Sequence, residues 1–188
     1  MKALDIIMAI KLSEFNKYSD WSFKSLENDL HINRSQLHDA YQRLIEAQII
    51  QLNRLNRRHL LEFLEHGLRY TFPASKEGFN EGVKASRSNP LIANKISINN
   101  DIVWYYSKDK QEGLNLPKED KVKGESIKPL HDSLLKSYQH SDRFKNMIDM
   151  VDVLRMSDCK LREKHIALPE LEKMIYSKSY TKTESVLC

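Results

Sequence analysis

Side chains that form hydrogen bonds with bases or phosphates are concentrated between residues 33 and 58. A predicted helix presents arginine, serine, glutamine and histidine at its outward positions, and three more arginines follow shortly after it. These residue types bind the atoms that double-stranded DNA presents on its base edges and its backbone. The candidate contacts with DNA are Asn33, Arg34, Ser35, Gln36, His38, Gln42, Arg43, Arg54, Arg57 and Arg58.

Residues that catalyse reactions or bind metals are present, but their spacing suits neither role. The sequence has no glycine-rich phosphate loop. His59 and His66 are seven residues apart on a predicted helix, whereas metal-binding helices place two histidines four residues apart. Cys159 and Cys188 form no metal-binding or redox motif. We therefore predict that the protein is not an enzyme and that it has no metal ligands and no cofactor.

The composition is that of a globular protein with an even charge distribution. The 188 residues are 40% hydrophobic and 30% charged, with five glycines, five prolines and two cysteines. This excludes collagen-like, disulfide-rich and fully disordered chains. No stretch approaches the roughly 20 apolar residues that cross a membrane, and Asp5 interrupts the segment that a signal peptide would keep apolar. We predict a cytoplasmic protein without membrane contact, and the net charge of +4 permits a nucleic-acid partner.

Three predicted helices in residues 1–47 would position the polar side chains. The first dozen residues form one amphipathic pattern, Ser22 is suited to cap a second helix, and Asn33 is suited to cap a third. His31 lies in the short link between the last two helices and takes the place of the usual glycine of a helix-turn-helix motif. The apolar residues of the third helix recur at i, i+3, i+4, i+7 and i+8: Leu37, Ala40, Tyr41, Leu44 and Ile45. The same pattern fits either a helix-turn-helix that binds DNA or a structural helical hairpin whose polar face is solvated. The residues alone leave both interpretations open.

The segment after the third helix predicts a strand, a link and a fourth helix. Residues 49–52 are rich in β-branched side chains and predict a short strand, and residues 53–56 predict a polar link that leaves little room for a wing hairpin. Asn56 is suited to cap a helix over residues 57–66, and Gly67 follows where a left-handed residue ends a helix.

The end of this segment is expected to support the helices. Residues 69–72 predict an extended piece that Pro73 closes. Glu62, Arg69 and Tyr70 are expected to form a buried polar network beneath the fourth helix, which would hold the extended piece in place.

Residues 73–130 are predicted to be rich in loops. They contain four of the five glycines and four of the five prolines. Residues 102–106 and 122–127 predict two strands, and the charged span between them predicts an exposed connection.

Residues 131–176 return to a helical pattern. Ser141 or Asp142 is suited to cap a helix, and Pro169 fits the first turn of the last helix. The predicted division is therefore a DNA-binding domain at 1–72, an α+β extension at 73–176, and a disordered tail at 177–188.

Two resemblances extend this interpretation. Residues 22–50 resemble the winged helix-turn-helix regulators of the MarR and ArsR kind, in which the recognition helix leads directly into a strand. Residues 57–74, which include LLEFLEHGLRYTFPA, are similar to a family of small bacterial winged-helix proteins. Weaker similarities extend this likeness over most of residues 30–176, at Gly82-Val83, Asn89-Pro90-Leu91, Val103-Trp104 and 150–155.

The resemblance implies an α+β protein with an N-terminal winged helix-turn-helix domain. Its implied function is a sequence-specific transcriptional regulator, a repressor or autoregulator that binds double-stranded DNA as a homodimer. Some members of the similar family are encoded beside nucleotidyltransferase-type proteins. The alternative is therefore an adaptor or antitoxin that neutralises such a partner through residues 73–176, with a purely structural helix-turn-helix. The sequence departs from the family pattern at Lys84-Ala85 and at Pro169.

Overall fold

The computed structural model describes residues 1–15, 20–105 and 121–177, which form a mixed α+β fold and confirm that predicted class. The helices are α1 Ala3–Leu12, α2 Phe23–Leu30, α3 Arg34–Glu46, α4 Arg57–Glu62, α5 Leu68–Thr71, α6 Pro90–Ala93, α7 Leu134–Ser137, α8 Asp142–Arg155 and α9 Leu161–Tyr176. The strands are β1 Ile50–Gln51, β2 Arg54–Leu55, β3 Lys76–Lys84, β4 Ile102–Trp104 and β5 Lys121–Ile127. Within the described ranges no helix is long and apolar enough to span a membrane.

The first helix lies in the centre of the protein. The predicted helix is present as α1, but it is not amphipathic, because every residue from Leu4 to Leu12 is buried. It packs against α3 on one side and α8 on the other. One cluster of buried apolar side chains therefore runs through residues 1–72 and through residues 73–176.

A very short hairpin follows α3. Ile50 pairs with Leu55, and Gln51 pairs with Arg54, so part of the predicted polar link is a strand. Leu52 and Asn53 form the turn with φ of 49° and 60°. Two consecutive residues with positive φ are typical of a two-residue turn that connects the two strands of a β-hairpin.

The helix after this hairpin continues beyond its predicted end. A π-helical turn at Phe63–Gly67 joins α4 to α5, and Gly67 has a right-handed φ of −101° instead of the predicted left-handed one. A Cβ on Gly67 would lie 2.8 Å from the Cδ2 of Phe63, so a larger residue there would force the Phe63 ring to move. The predicted extended piece at 69–72 is therefore wrong, since residues up to Thr71 are helical.

A strand that the sequence analysis missed organises the second half of the chain. β3 pairs antiparallel with both β4 and β5, and β4 and β5 pair in parallel, which closes a small three-stranded barrel. Two of the glycines that predicted loops, Gly82 and Gly124, serve this closure instead. A Cβ on Gly82 would lie 2.2 Å from the carbonyl oxygen of Trp104. The predicted strands are present as β4 and β5, but the connection predicted between them lies mostly outside the described residues.

Buried polar groups fasten the barrel to α8. The indole Nε1 of Trp104 donates to Asp152, which also accepts from Arg155. The fully buried Asp149 accepts from the backbone N–H of Ser86 at 2.9 Å and from the Asn89 side chain at 2.7 Å. Ser86 has a φ of 55°, so the Asp149 carboxylate stabilises a conformation that serine rarely adopts.

The two long C-terminal helices pack together. Ser141 caps α8 as predicted and accepts from the backbone N–H of Phe144 at 3.1 Å. Pro169 does not begin a helix but lies inside α9. Ala167, Leu171 and Ile175 are buried at four-residue intervals on both sides of it, and this packing outweighs the one missing backbone hydrogen bond. Most of the predicted disordered tail, residues 178–188, lies outside the described residues.

Candidate nucleic-acid interface

Local capping fixes the start of α3. Ser22 caps α2 by accepting from the Ser25 N–H at 3.0 Å, and Asn33 caps α3 by accepting from the Gln36 N–H at 2.9 Å. His31, between these helices, adopts the predicted left-handed conformation with a φ of 53°. The Asn33 side chain is therefore engaged in positioning the helix.

The second half of the chain contacts this turn. The Nε2 atoms of His31 and His140 are 2.8 Å apart, although 109 residues separate them in sequence. Burial, together with the charges of His140 and Lys136, lowers the pKa of His31. The neutral form is thus favoured, and one imidazole donates to the other.

The outward face of α3 carries most of the predicted contacts. Arg34, Ser35, Gln36, His38 and Gln42 are all exposed. Because successive helical residues are about 100° apart, Arg34, His38 and Gln42 share one arc, with Ser35 at its edge. Leu37, Ala40 and Leu44 are fully buried on the opposite side and attach the helix to the core.

Arg43 is turned inward onto α1. Its Nε lies 3.1 and 3.0 Å from the two carboxylate oxygens of Asp5, and its second terminal nitrogen lies 2.7 Å from Asp5 Oδ1. Asp5 is completely buried, and its hydrogen bonds raise the pKa of Arg43. This paired guanidinium fixes α3 against α1, a role that the surface position of Arg43 on a helical wheel could not reveal.

A cleft of about 300 Å³ runs beside α3. Gln36, Asp39 and Arg43 line it from the helix, and Lys2 and His131 line it from distant parts of the chain. Lys2 and His131 were not among the residues predicted from the sequence, because no local pattern connects them with α3. Lys2 adds a positive charge next to the candidate interface.

The three arginines after α3 have different environments. Arg54 is exposed on β2, and the exposed Arg58 pairs with Glu62 at 3.1 Å. Arg57 instead donates to the backbone carbonyls of Ile175 at 2.8 Å and Phe15 at 3.0 Å. Arg57 thus ties α4 to the end of α9, while Arg54 and Arg58 remain accessible.

The charges of α3 itself cancel. Arg34 and Arg43 are balanced by Asp39 and Glu46. Any attraction to phosphate therefore depends on Lys2, Arg54 and Arg58 around the helix, because counterion release follows from basic groups that reach the backbone.

The expected buried polar network around α4 is absent. Glu62 and Arg69 are exposed, and Tyr70 is 82% exposed. The described part of the chain has no group of three or more histidine, cysteine or carboxylate side chains placed to hold a metal ion. Burial raises the pKa of the Cys159 thiol, which disfavours a reactive thiolate.

The comparisons with known proteins add no relative. No family model, no curated protein and no solved structure matches this sequence.

Proposed function

We propose that the protein is a transcriptional regulator that binds double-stranded DNA in a sequence-specific manner. In this proposal α2, the turn at His31 and α3 form a helix-turn-helix, and β1 and β2 form a reduced wing. The observation that carries the proposal is the exposed arc of Arg34, His38 and Gln42 on a helix that is capped and anchored from behind. A rigid helix with such side chains fits the major groove.

The proposal divides the predicted contacts into two roles. Arg34, Ser35, His38 and Gln42 reach base edges or nearby phosphates, whereas Gln36 faces the cleft beside α3. Arg54 and Arg58, together with Lys2, contact the backbone on either side of the helix.

Three of the residues chosen from the sequence act indirectly. Asn33, Arg43 and Arg57 hold the reading helix and the helix after the hairpin in position. The tip of the wing makes no polar contact with bases, because Leu52 there is apolar and 96% exposed, and the wing contributes only the backbone contact of Arg54 on β2.

A salt series with purified protein tests this function. Binding to the DNA upstream of its own coding region is compared with binding to a scrambled duplex of equal length. We expect preferential binding to the upstream DNA. Gln42→Ala should cost about 1–3 kcal/mol at one base position, and Arg54→Gln should lower the salt slope by about one.

The control variant is Lys128→Gln, which removes an exposed lysine after β5. It should leave both the affinity and the salt slope unchanged. Equal binding to both duplexes would contradict sequence-specific regulation. Absence of binding at low salt would contradict DNA binding altogether and would leave the adaptor or antitoxin alternative, which co-purification with a native partner tests.

The dimer is part of the same proposal, because helix-turn-helix regulators read two half-sites with two-fold symmetry. The mass of the protein–DNA complex gives the number of protomers bound to one DNA site. A complex with two protomers on one palindromic site is expected, and a complex with one protomer would contradict the dimer.

A further inference from the structure

A second cavity lies on the surface between the α4–α5 segment and the start of α9. Its volume is about 350 Å³, which is within the range of small-molecule sites. It shares no lining residue with the cleft beside α3. DNA binding by α3 therefore does not account for its composition.

The side chains around this cavity carry a net positive charge. Arg69 lines one wall, and Lys160 and Lys164 line the other. Glu65 is the acidic side chain at the cavity, and it lies 3.5 Å from Lys164. Arg69 donates to the backbone carbonyl of Ser157, which leaves its charge uncompensated. Among the described residues no carboxylate lies within ion-pair distance of Arg69 or Lys160.

The backbone of one wall is unusual. Glu65 and His66 belong to the π-helical turn Phe63–Gly67, and Arg69 and Tyr70 come directly after it. Single π-helical turns within α-helices occur frequently at functional sites. Arg69 and Tyr70, two of the three residues expected in a buried network, thus lie at an open cavity.

Part of the cavity rim is apolar. Tyr70 is 82% exposed and Leu161 is 69% exposed at its edge, whereas Leu154 is almost completely buried. An aromatic ring placed against Tyr70 and Leu161 would cover apolar surface that is now in water. Such stacking on tyrosine is favourable and tolerates different ring types.

We propose that this cavity binds a small phosphate monoester that carries a flat ring. The two uncompensated cations, Arg69 and Lys160, match the charge of a phosphate monoester near neutral pH. The planar fork of Arg69 suits two phosphate oxygens, and Lys160 supplies a point charge. The ring lies on Tyr70 and Leu161. This binding does not rest on the proposed DNA binding, because it uses other residues.

Calorimetry on the full chain tests the proposal with phenyl phosphate as the probe, and with inorganic phosphate and phenol as partial probes. We expect phenyl phosphate to bind more tightly than either partial probe. Replacing both Arg69→Gln and Lys160→Gln should weaken binding at least about tenfold, because hydrogen bonds to charged groups are lost. Tyr70→Ala should weaken binding about fivefold through the lost stacking.

The matched control is Lys173→Gln, which removes an exposed lysine of the same helix that does not line the cavity. It should bind phenyl phosphate like the wild type. The altered side chains are largely exposed, so the melting temperatures of the variants without ligand should equal that of the wild type and show that they fold. No calorimetric binding of phenyl phosphate at millimolar concentration would overturn the proposal. Unchanged binding of phenyl phosphate by the Arg69/Lys160 double variant would also overturn the proposal. So would equally tight binding of inorganic phosphate and phenyl phosphate by the wild type.

Discussion

Replacing Arg43 separates a role in folding from a role in DNA contact. Arg43→Ala leaves the carboxylate of Asp5 buried without its guanidinium partner. Breaking a buried ion pair in this way costs about 3–5 kcal/mol. The backbone N–H of Lys2 still donates to Asp5 at 2.6 Å, and the Arg43 side chain is 24% exposed, so water can reach the vacated site. We therefore expect the lower end, about 3 kcal/mol.

Urea denaturation measures this loss. With a slope of about 2 kcal/mol per molar urea, the midpoint should fall by about 1.5 M. Arg34→Ala is the matched control, because Arg34 lies on the same helix but is exposed, and its stability change should stay within about 0.5 kcal/mol. The reasoning is refuted if Arg43→Ala costs less than about 1 kcal/mol and instead lowers the salt slope of DNA binding by about one. That result would make Arg43 a phosphate contact.

Three further predictions test other parts of the structure. Arg57→Ala should lower the free energy of unfolding in urea by about 2 kcal/mol, because two backbone carbonyls lose a charged donor. The neighbouring Arg58→Ala should cost about 0.5 kcal/mol or less, because its ion pair is exposed. Gly82→Ala should lower the melting temperature sharply, since the new Cβ would lie 2.2 Å from the Trp104 carbonyl oxygen. Burial raises the pKa of Asp149 from 3.8 to about 6, so the folded state retains a proton that the unfolded state releases, and stability falls as the pH rises through this range. Relative to Asp149→Asn, the wild type should lose about 3 kcal/mol between pH 3 and pH 7, as measured by urea denaturation at each pH.

Each of these predictions has an outcome that contradicts it. Equal stability losses for Arg57→Ala and Arg58→Ala would show that the hydrogen bonds to the Ile175 and Phe15 carbonyls stabilise the fold no more than an exposed ion pair does. An unchanged melting temperature for Gly82→Ala would show that β3 and β4 do not approach as closely as described. Parallel pH profiles for the wild type and Asp149→Asn would show that Asp149 ionises with its ordinary pKa.

The features that the sequence predicted correctly depend on neighbouring residues. The caps at Ser22, Asn33, Asn56 and Ser141 each accept from the backbone N–H three positions along the chain, so the residue types suffice to find them. The left-handed conformation of His31 is also set by the short link between two helices.

The features that the sequence missed depend on distant residues. β3 is a strand because β4 and β5 pair with both of its edges, and Gly82 is required by a carbonyl from β4. At the candidate interface, Asp5 and Ile175 are far from Arg43 and Arg57 in sequence, so no local pattern shows that these arginines are engaged.

The central position of α1 has a consequence for the order of events during synthesis. α1 is synthesised before α8, one of its two packing partners, which follows about 130 residues later, as the 134-residue separation of Ser13 and Met147 indicates. The apolar surface of α1 that faces α8 therefore stays uncovered until α8 has been made, and chaperones can bind it during that interval. A fragment that stops at residue 72 keeps this surface in water permanently, and we expect it to aggregate.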